Sequence, residues 1–337
     1  MQRRDFILAL SSIFFLRVKD QVMAGEQQPA GTGAKYPGTR TGFVYDEVYL
    51  RHVIAPGHPE SPQRLEAVMK AMEVSGLIRQ VQPVIPLAGV DPWLLPIHTR
   101  SHIESIRQHD PRSHHVAVQA VTGALGAVRD VSAGAVRNAF CALRPPGHHA
   151  NNTGREEGFC YYNTVAVAAR YAQQACGLDK VLIVDWDYHH GNGTENAFYT
   201  DPSVLFFSTH DFFAYPGTGH PDRTGEGAGK GYNINVHLDC GTTDEEIIAV
   251  YEERLLPAVH KFKPDMILIS AGFDSRKSDP LGCFNLTDQA FVRLTRMLMA
   301  LADRYCDGRL VSLLEGGYNL EGLASAVTAH VQTLLEG

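Results

Sequence analysis

Tryptophan occurs only twice in the 337 residues and cysteine six times, with no two cysteines in a Cys-x-x-Cys pair. That spacing excludes a zinc ribbon or a thioredoxin-like redox motif. Cys141, Cys160, Cys176, Cys240, Cys283 and Cys306 read as scattered, buried free thiols, and their even number permits disulfides only if the protein is exported. Basic runs are missing as well. Lys and Arg total 30 against 37 Asp and Glu, a net charge of -7, which gives no sign of a dedicated nucleic-acid or anionic-membrane surface. No apolar stretch reaches the roughly 20 residues that a spanning helix needs, so no stable membrane span is expected. Neither an internal repeat nor a low-complexity linker interrupts residues 42–337. What is present suits a globular protein with a sizeable core: 44% of residues are hydrophobic and 20% charged.

The first residues differ from the rest. Arg3 and Arg4 precede an apolar run over 6–16, then Arg17 and Lys19, then a small-residue site at 22–24. This pattern resembles a twin-arginine leader, predicting a signal peptide over 1–24, a polar linker over 25–40 and export to the periplasm. The alternatives are an amphipathic N-terminal helix or an over-called start, either of which leaves the protein cytoplasmic. Residues 41–337 then form one catalytic domain.

Short apolar runs at 42–45, 140–143, 181–184, 204–208, 232–238, 266–270 and 310–314 read as strands. Helical spacing fills 62–74, 99–108, 116–131, 162–176, 243–262, 287–306 and 320–335, with a polar loop over 108–115. Strands alternating with helices predict an α/β domain with a parallel sheet covered on both faces. Ligands of such sheets bind outside the carboxyl ends of the strands, and those ends are rich in chemistry. The 140–143 run leads to Gly147-His148-His149, and the 181–184 run to Asp185, Asp187, His189, His190 and Asn192. The 204–208 run leads to Thr209 and His210, the 266–270 run to Asp274, and the 310–314 run to Glu315-Gly316-Gly317-Tyr318.

Along an extended chain alternate side chains share a face, so Asp187 and His189 point one way and Asp185 can join them. Adding Asp274 completes three protein ligands, the number a catalytic zinc site takes; two oxygens and a nitrogen suit Zn2+ and leave Fe2+ open. His148 and His149 can serve a catalytic water as general base and acid. Asp185 and Asn192 are the natural partners for their far nitrogens, and a carboxylate on one with an amide on the other should push the two pKa values apart. Tyr318 can donate to a developing oxyanion. His98, His102, His114 and His115 read as solvated or structural, and His190 as packing on the face away from the ligands.

Arg144-Pro-Pro-Gly-His-His-Ala150, Gly158-Phe-Cys-Tyr-Tyr-Asn163, Val184-Asp-Trp-Asp-Tyr-His-His-Gly-Asn-Gly-Thr194, Pro216-Gly-Thr-Gly219, Ala271-Gly-Phe-Asp-Ser275 and Glu315-Gly-Gly-Tyr-Asn319 resemble the histone deacetylase family. The resemblance is closest to its class II and bacterial branch, which includes acetylpolyamine amidohydrolases, and it covers about 42–337. It implies an arginase-like fold: a single three-layer domain with a central, mostly parallel eight-stranded sheet. It also implies zinc-dependent hydrolysis of N-acyl amines. Phe159 and Tyr215 would be the aromatic walls around an acyl-lysine stem, with Gly158 beside them. Gly316 would offer a backbone carbonyl to the substrate amide, and Arg64 would line an internal acetate channel. Structural potassium is implied at Asp185, Asp187, His189, Ser208 and Thr209, and again at Phe198, Asp201, Val204 and Tyr232.

Two departures bear on substrate. Leu281, in Asp279-Pro-Leu-Gly282, stands where polyamine-selective relatives carry a glutamate, and the 108–115 segment is short, with Asp110 offset by Arg112. Both favour an acyl-lysine or other uncharged N-acyl substrate, small molecule or peptide, over acetylpolyamines on electrostatic grounds. A binuclear manganese ureohydrolase would need a second metal held by an aspartate pair, but Ser275 and Arg276 follow Asp274. A catalytically dead binding module would be expected to lack Tyr318, a tandem histidine or a ligand, and all are there. The sequence leaves the oligomeric state open.

Overall fold

The computed structural model describes residues 41–337; the leader and linker read over 1–40 lie outside the described residues. Eight strands form one sheet: β1 (Thr41–Val44), β2 (Gln82–Pro83), β3 (Asn138–Cys141), β4 (Val181–Asp185), β5 (Val204–His210), β6 (Asn233–His237), β7 (Met266–Ala271) and β8 (Leu310–Leu314). Their order is β2-β1-β3-β8-β7-β4-β5-β6, and every pairing is parallel. Central strands covered on both faces need apolar side chains on both, and β4, β7 and β8 are buried throughout.

Nine helices concern the fold: α1 (Gln63–Val74), α2 (Arg100–His109), α3 (Pro111–Ser132), α4 (Thr164–Cys176), α5 (Asn192–Phe198), α6 (Asp244–Val250), α7 (Leu256–Phe262), α8 (Asp288–Tyr305) and α9 (Leu320–Glu336). Helices α3 and α4 pack on one another and on the sheet, while α1, α9, α8 and α6 form a second chain of contacts that also meets it. Two helix groups on one sheet make the three layers. No helix among the described residues is long and apolar enough to cross a membrane.

Three expectations change. The 108–115 segment is not a loop: Asp110 alone separates α2 from α3, accepting from the Ser113 amide at 3.0 Å as an N-cap, with Pro111 opening the helix. A capping aspartate followed by proline at the first helical position is a helix start, and the apolar periodicity that begins only at Val116 masked it. The 243–262 helix is broken by a π-turn at Tyr251–Leu255, where the Leu256 amide reaches back to the Tyr251 carbonyl. Pro257, just beyond, has no amide to continue the regular ladder. Cys240 and Cys283 form a disulfide with Cα atoms 5.1 Å apart, whereas Cys141, Cys160 and Cys306 are buried free thiols and Cys176 is a half-buried one.

Candidate active site

The strand order places β8, β7 and β4 side by side, so their carboxyl ends deliver Tyr318, Asp274, and Asp187 with His189 to one place. Asp187 and Asp274 are buried and His189 is nearly so. One ligand atom from each of the three lies within 4.8 Å of the others. His189 Nδ1 is 3.1 Å from an oxygen of Asp187 and 3.1 Å from one of Asp274. Backbone amides orient the carboxylates: Gly316 donates to Asp187 at 2.9 Å and Tyr188 to Asp274 at 2.9 Å. Gly272 and Gly316 pack so close that a Cβ at either would overlap the Asp187 carboxylate. That contact explains two of the glycines in the strand-end motifs.

Burial of Asp274 beside the Asp187 carboxylate pushes its pKa up to about 7. Burial opposes ionisation of Asp187, but the His148 and His189 imidazoles hold it well below the usual carboxylate range. Two buried carboxylates and an inward imidazole nitrogen could hold a cation, and this donor set fits zinc. Ser275 and Arg276 turn away from the triad. The Ser275 hydroxyl donates to the Trp186 carbonyl at 3.1 Å, and Arg276 pairs with Asp288 at 2.6 Å.

The tandem histidines have rings 4.0 Å apart. His148 Nδ1 lies 2.9 Å from Asp185 Oδ2, and His149 Nδ1 lies 2.8 Å from Asn192 Oδ1. Burial alone would lower His148, but the Asp185 and Asp187 carboxylates outweigh it and hold it well above the ordinary imidazole value. Burial, with His148 and His189 nearby, holds His149 well below that value. Tyr318 is nearly buried; burial keeps its phenol protonated far above ordinary pH.

His149, Gly158, Phe159, Tyr188, His189, Tyr215, Leu281 and Tyr318 line one cavity of about 480 Å³, with Glu156 and Ala214. The Tyr215 ring stands edge-on to His149 at 5.0 Å, and Phe159 to Tyr318 at 6.0 Å. Gly158 and Phe159 both take left-handed backbone, and a Cβ on Gly158 would collide with the His149 ring. The Gly316 carbonyl accepts from the Phe273 amide at 3.0 Å, which leaves its second lone pair available, and the Gly316 amide supports Asp187.

Arg64 lies beneath Tyr318, its guanidinium 4.9 Å from the ring centroid. Its Nε donates to the Gly317 carbonyl at 2.6 Å and its Nη2 to the Glu315 carbonyl at 2.5 Å. Glu60 joins Arg64 (3.2 Å) and Arg144 (2.5 Å) in a fully buried cluster with His52. Of the residues implied for potassium, Asp185 and Ser208 stand opposite one another across β4 and β5, with Asp187 and His189 just beyond and Thr209 next along β5. The Ser208 hydroxyl lies 2.8 Å from His210 Nδ1. Phe198 ends α5 and Val204 begins β5; the Phe198 and Tyr232 carbonyls accept from the Asp201 and Phe206 amides at 3.0 and 2.9 Å, and Asp201 pairs with Arg170 at 2.6 Å.

His98 and His102 are buried and stacked at 4.8 Å, bonded to backbone at Asn163 and Tyr161. His190 turns to Thr218, 2.8 Å away. The sequence reading missed four supports. Glu315 accepts from the Gly147 and His148 amides at 2.6 and 3.2 Å, tying β8 to the histidine loop. Asp279 accepts from the Tyr318 and Asn319 amides at 2.7 and 3.0 Å. Glu60 and Glu156 complete the set. Glu315, in Glu315-Gly-Gly-Tyr-Asn319, and Asp279, in Asp279-Pro-Leu-Gly282, lie inside motifs that could have drawn attention to them.

A family description, "Histone deacetylase domain", matches residues 58–334. An Archaeoglobus fulgidus protein described as "Probable deacetylase" is 37% identical over 297 residues, covering 84% of this chain and 82% of that one. Histone deacetylase 15 of Arabidopsis thaliana is 37% identical over 333 residues, 92% of this chain, and histone deacetylase 5 of the same plant is 36% identical over 352 residues, 93% of this chain. The chain spans 59% and 53% of those two plant proteins. Among solved structures, the HD domain of HDA15 superposes with a TM-score of 0.83 at 36% identity, covering 89% of this chain and 90% of that one.

Proposed function

This chain belongs to the histone deacetylase family, and from that premise we propose that it is a zinc-dependent amidohydrolase that removes acetyl or other acyl groups from lysine side chains. Membership carries deacetylase chemistry, the hydrolysis of an amide bond. The observation that carries the finer reading is convergence: ligand His189, base candidate His149, phenol Tyr318 and the aromatic walls Phe159 and Tyr215 share one cavity.

Asp187, His189 and Asp274 would hold the zinc. When bound, the ion would supply Lewis-acid polarisation of water and of the acyl carbonyl. The chain's own residues account for the rest. His149 is neutral, and with Nδ1 donating to Asn192 its Nε2 lone pair is free to take the proton of the attacking water. The same Nε2 returns that proton to the leaving amine. His148, kept protonated by Asp185 and Asp187, stays a fixed positive charge beside the developing oxyanion. Tyr318 donates its phenolic proton to that oxygen as a hydrogen bond. Phe159 and Tyr215 exclude water from the aliphatic stem, and the uncharged Leu281 closes the same wall.

An acetylpolyamine or another small N-acetyl metabolite is the second reading, resting on the family's breadth. Structural potassium at the two residue sets around Asp185 and Ser208 and around Phe198 and Tyr232, and action in the periplasm by way of the leader, complete the proposal; cell fractionation tests the latter. The deciding experiment compares kcat/KM of the zinc-loaded protein on an acetyl-lysine peptide and on acetylated polyamines. Preference for the peptide is expected; preference for polyamines overturns the acyl-lysine assignment.

A further inference from the structure

The cavity mouth carries one acid. Among the residues lining the cavity, Glu156 is the only carboxylate, and the others that can ionise near neutrality are the histidines of the reacting centre. Glu156 is exposed and makes no ion pair among the described residues. Its position is nevertheless fixed: Glu156 Oε1 accepts from the Phe159 amide, in the turn where Gly158 and Phe159 take left-handed backbone. The carboxylate is therefore held beside the aromatic wall that would grip the substrate stem.

A second groove, of about 440 Å³, lies on the other side of the same residue. Glu156 lines it together with Ser105, His109, Thr153, Arg155 and Tyr161. Glu156 thus forms the ridge between the reacting cavity and a polar groove that a substrate longer than its acyl-bearing chain would cross. Asp110 and Arg155 both line the groove, so charge of each sign lies on that side, whereas on the cavity side Glu156 is the one acid.

From this placement we infer that Glu156 is a specificity-determining residue, selecting N-acyl amines that carry an ammonium or guanidinium group next to the acyl-bearing chain. The inference rests on the deacylase reading above and narrows its substrate class. Two sources supply that chemistry: a basic residue beside an acyl-lysine in a peptide, or the second amine of a singly acylated diamine. An exposed carboxylate attracts a cation weakly, so the preference should be about two- to fivefold and should fade as salt screens it.

The test measures kcat/KM of the full-length, zinc-loaded protein on acetyl-lysine peptides that differ only in the neighbouring residue: Arg, Gln or Glu. Mono-acetylated 1,4-diaminobutane forms a separate arm. Wild type and Glu156→Gln are compared at low salt and at about 0.5 M salt; glutamine keeps an oxygen for the Phe159 amide. The expected order in the wild type is Arg over Gln over Glu, expressed in KM more than in kcat, with the Arg-to-Glu ratio shrinking toward one in Glu156→Gln and at high salt. Peptide favoured over diamine, or the reverse, identifies the source of the cation, and either supports the inference provided Glu156→Gln weakens it. An Arg-to-Glu ratio equal in both proteins, with all peptides hydrolysed, overturns the inference and leaves the deacylase reading standing. Hydrolysis of none of the substrates by the wild type overturns both.

Discussion

His148 and His149 are chain neighbours with rings 4.0 Å apart, yet their partners drive them in opposite directions: a carboxylate behind one and an amide behind the other. This division of labour came from two residues in one strand-end motif, Asp185 and Asn192, and was legible in the sequence because alternation along a strand fixes which side chains face together. The tie from Gly316 to Phe273 was not legible, since only the fold brings that amide, just past β7, to the Gly316 carbonyl. Tyr318 has the simplest prediction. Its ring is clamped by Arg64 and its amide by Asp279, so Tyr318→Phe should fold normally and lose about 10²- to 10³-fold in kcat. Steady-state turnover on an acetyl-lysine peptide, with thermal unfolding as the control, checks it; unchanged kcat would remove the phenol from the reaction.

At the scale of elements, the turn after β8 is held from beneath. Arg64 reaches the carbonyls on both sides of Gly316, and Glu60 pairs with both Arg64 and Arg144 where none of the three meets solvent. Glu60 bonds to Arg144 84 residues away, and Arg64 to Gly317 253 residues away, distances at which no local pattern reports a contact. Removing one member of a buried charged cluster typically costs about 3–5 kcal/mol because the others lose their counter-charge. Glu60→Gln should therefore lower the unfolding free energy by an amount in that range, read as a lower denaturant midpoint, and depress turnover by loosening the Tyr318 turn. A midpoint equal to wild type would mean the cluster contributes nothing.

Helix α9 and strand β8 meet through His330, fully buried between Thr295 (2.7 Å) and Ser312 (2.9 Å). Burial lowers its pKa to about 3, whereas an unfolded histidine protonates near 6.5. Its contribution is thus fully present above about pH 6.5 and is lost progressively as pH falls toward 3, by up to about 1.4 kcal/mol per unit. His330→Gln should flatten the decline of unfolding free energy between about pH 6 and 4 by up to that slope. Urea titrations across the window measure it, and an unaltered slope would contradict a neutral buried His330.

Across the whole molecule, the three-layer plan follows from apolar runs alternating with helical periodicity, and strands covered on both faces announce themselves as such runs. Edge strand β2, two residues ending in proline, does not. The strand-end chemistry was equally legible, because a parallel sheet gathers the carboxyl ends of distant segments without needing each contact to be known. What escaped was what holds those ends in place: Glu60, Asp279 and Glu315, buried acids whose partners are backbone amides and arginines from other elements. The mouth acid Glu156 escaped for a related reason, since only the folded chain shows which loop residue borders the cavity.

The central claim is a single metal held by Asp187, His189 and Asp274 and required for hydrolysis. Metal-free protein titrated with zinc, with acetate release from an acetyl-lysine peptide read at each addition, tests it most directly. Activity should rise linearly and stop at about one zinc per chain, the number a three-ligand catalytic site takes. A break at two zinc ions per chain, or turnover that does not depend on added metal, would contradict the account.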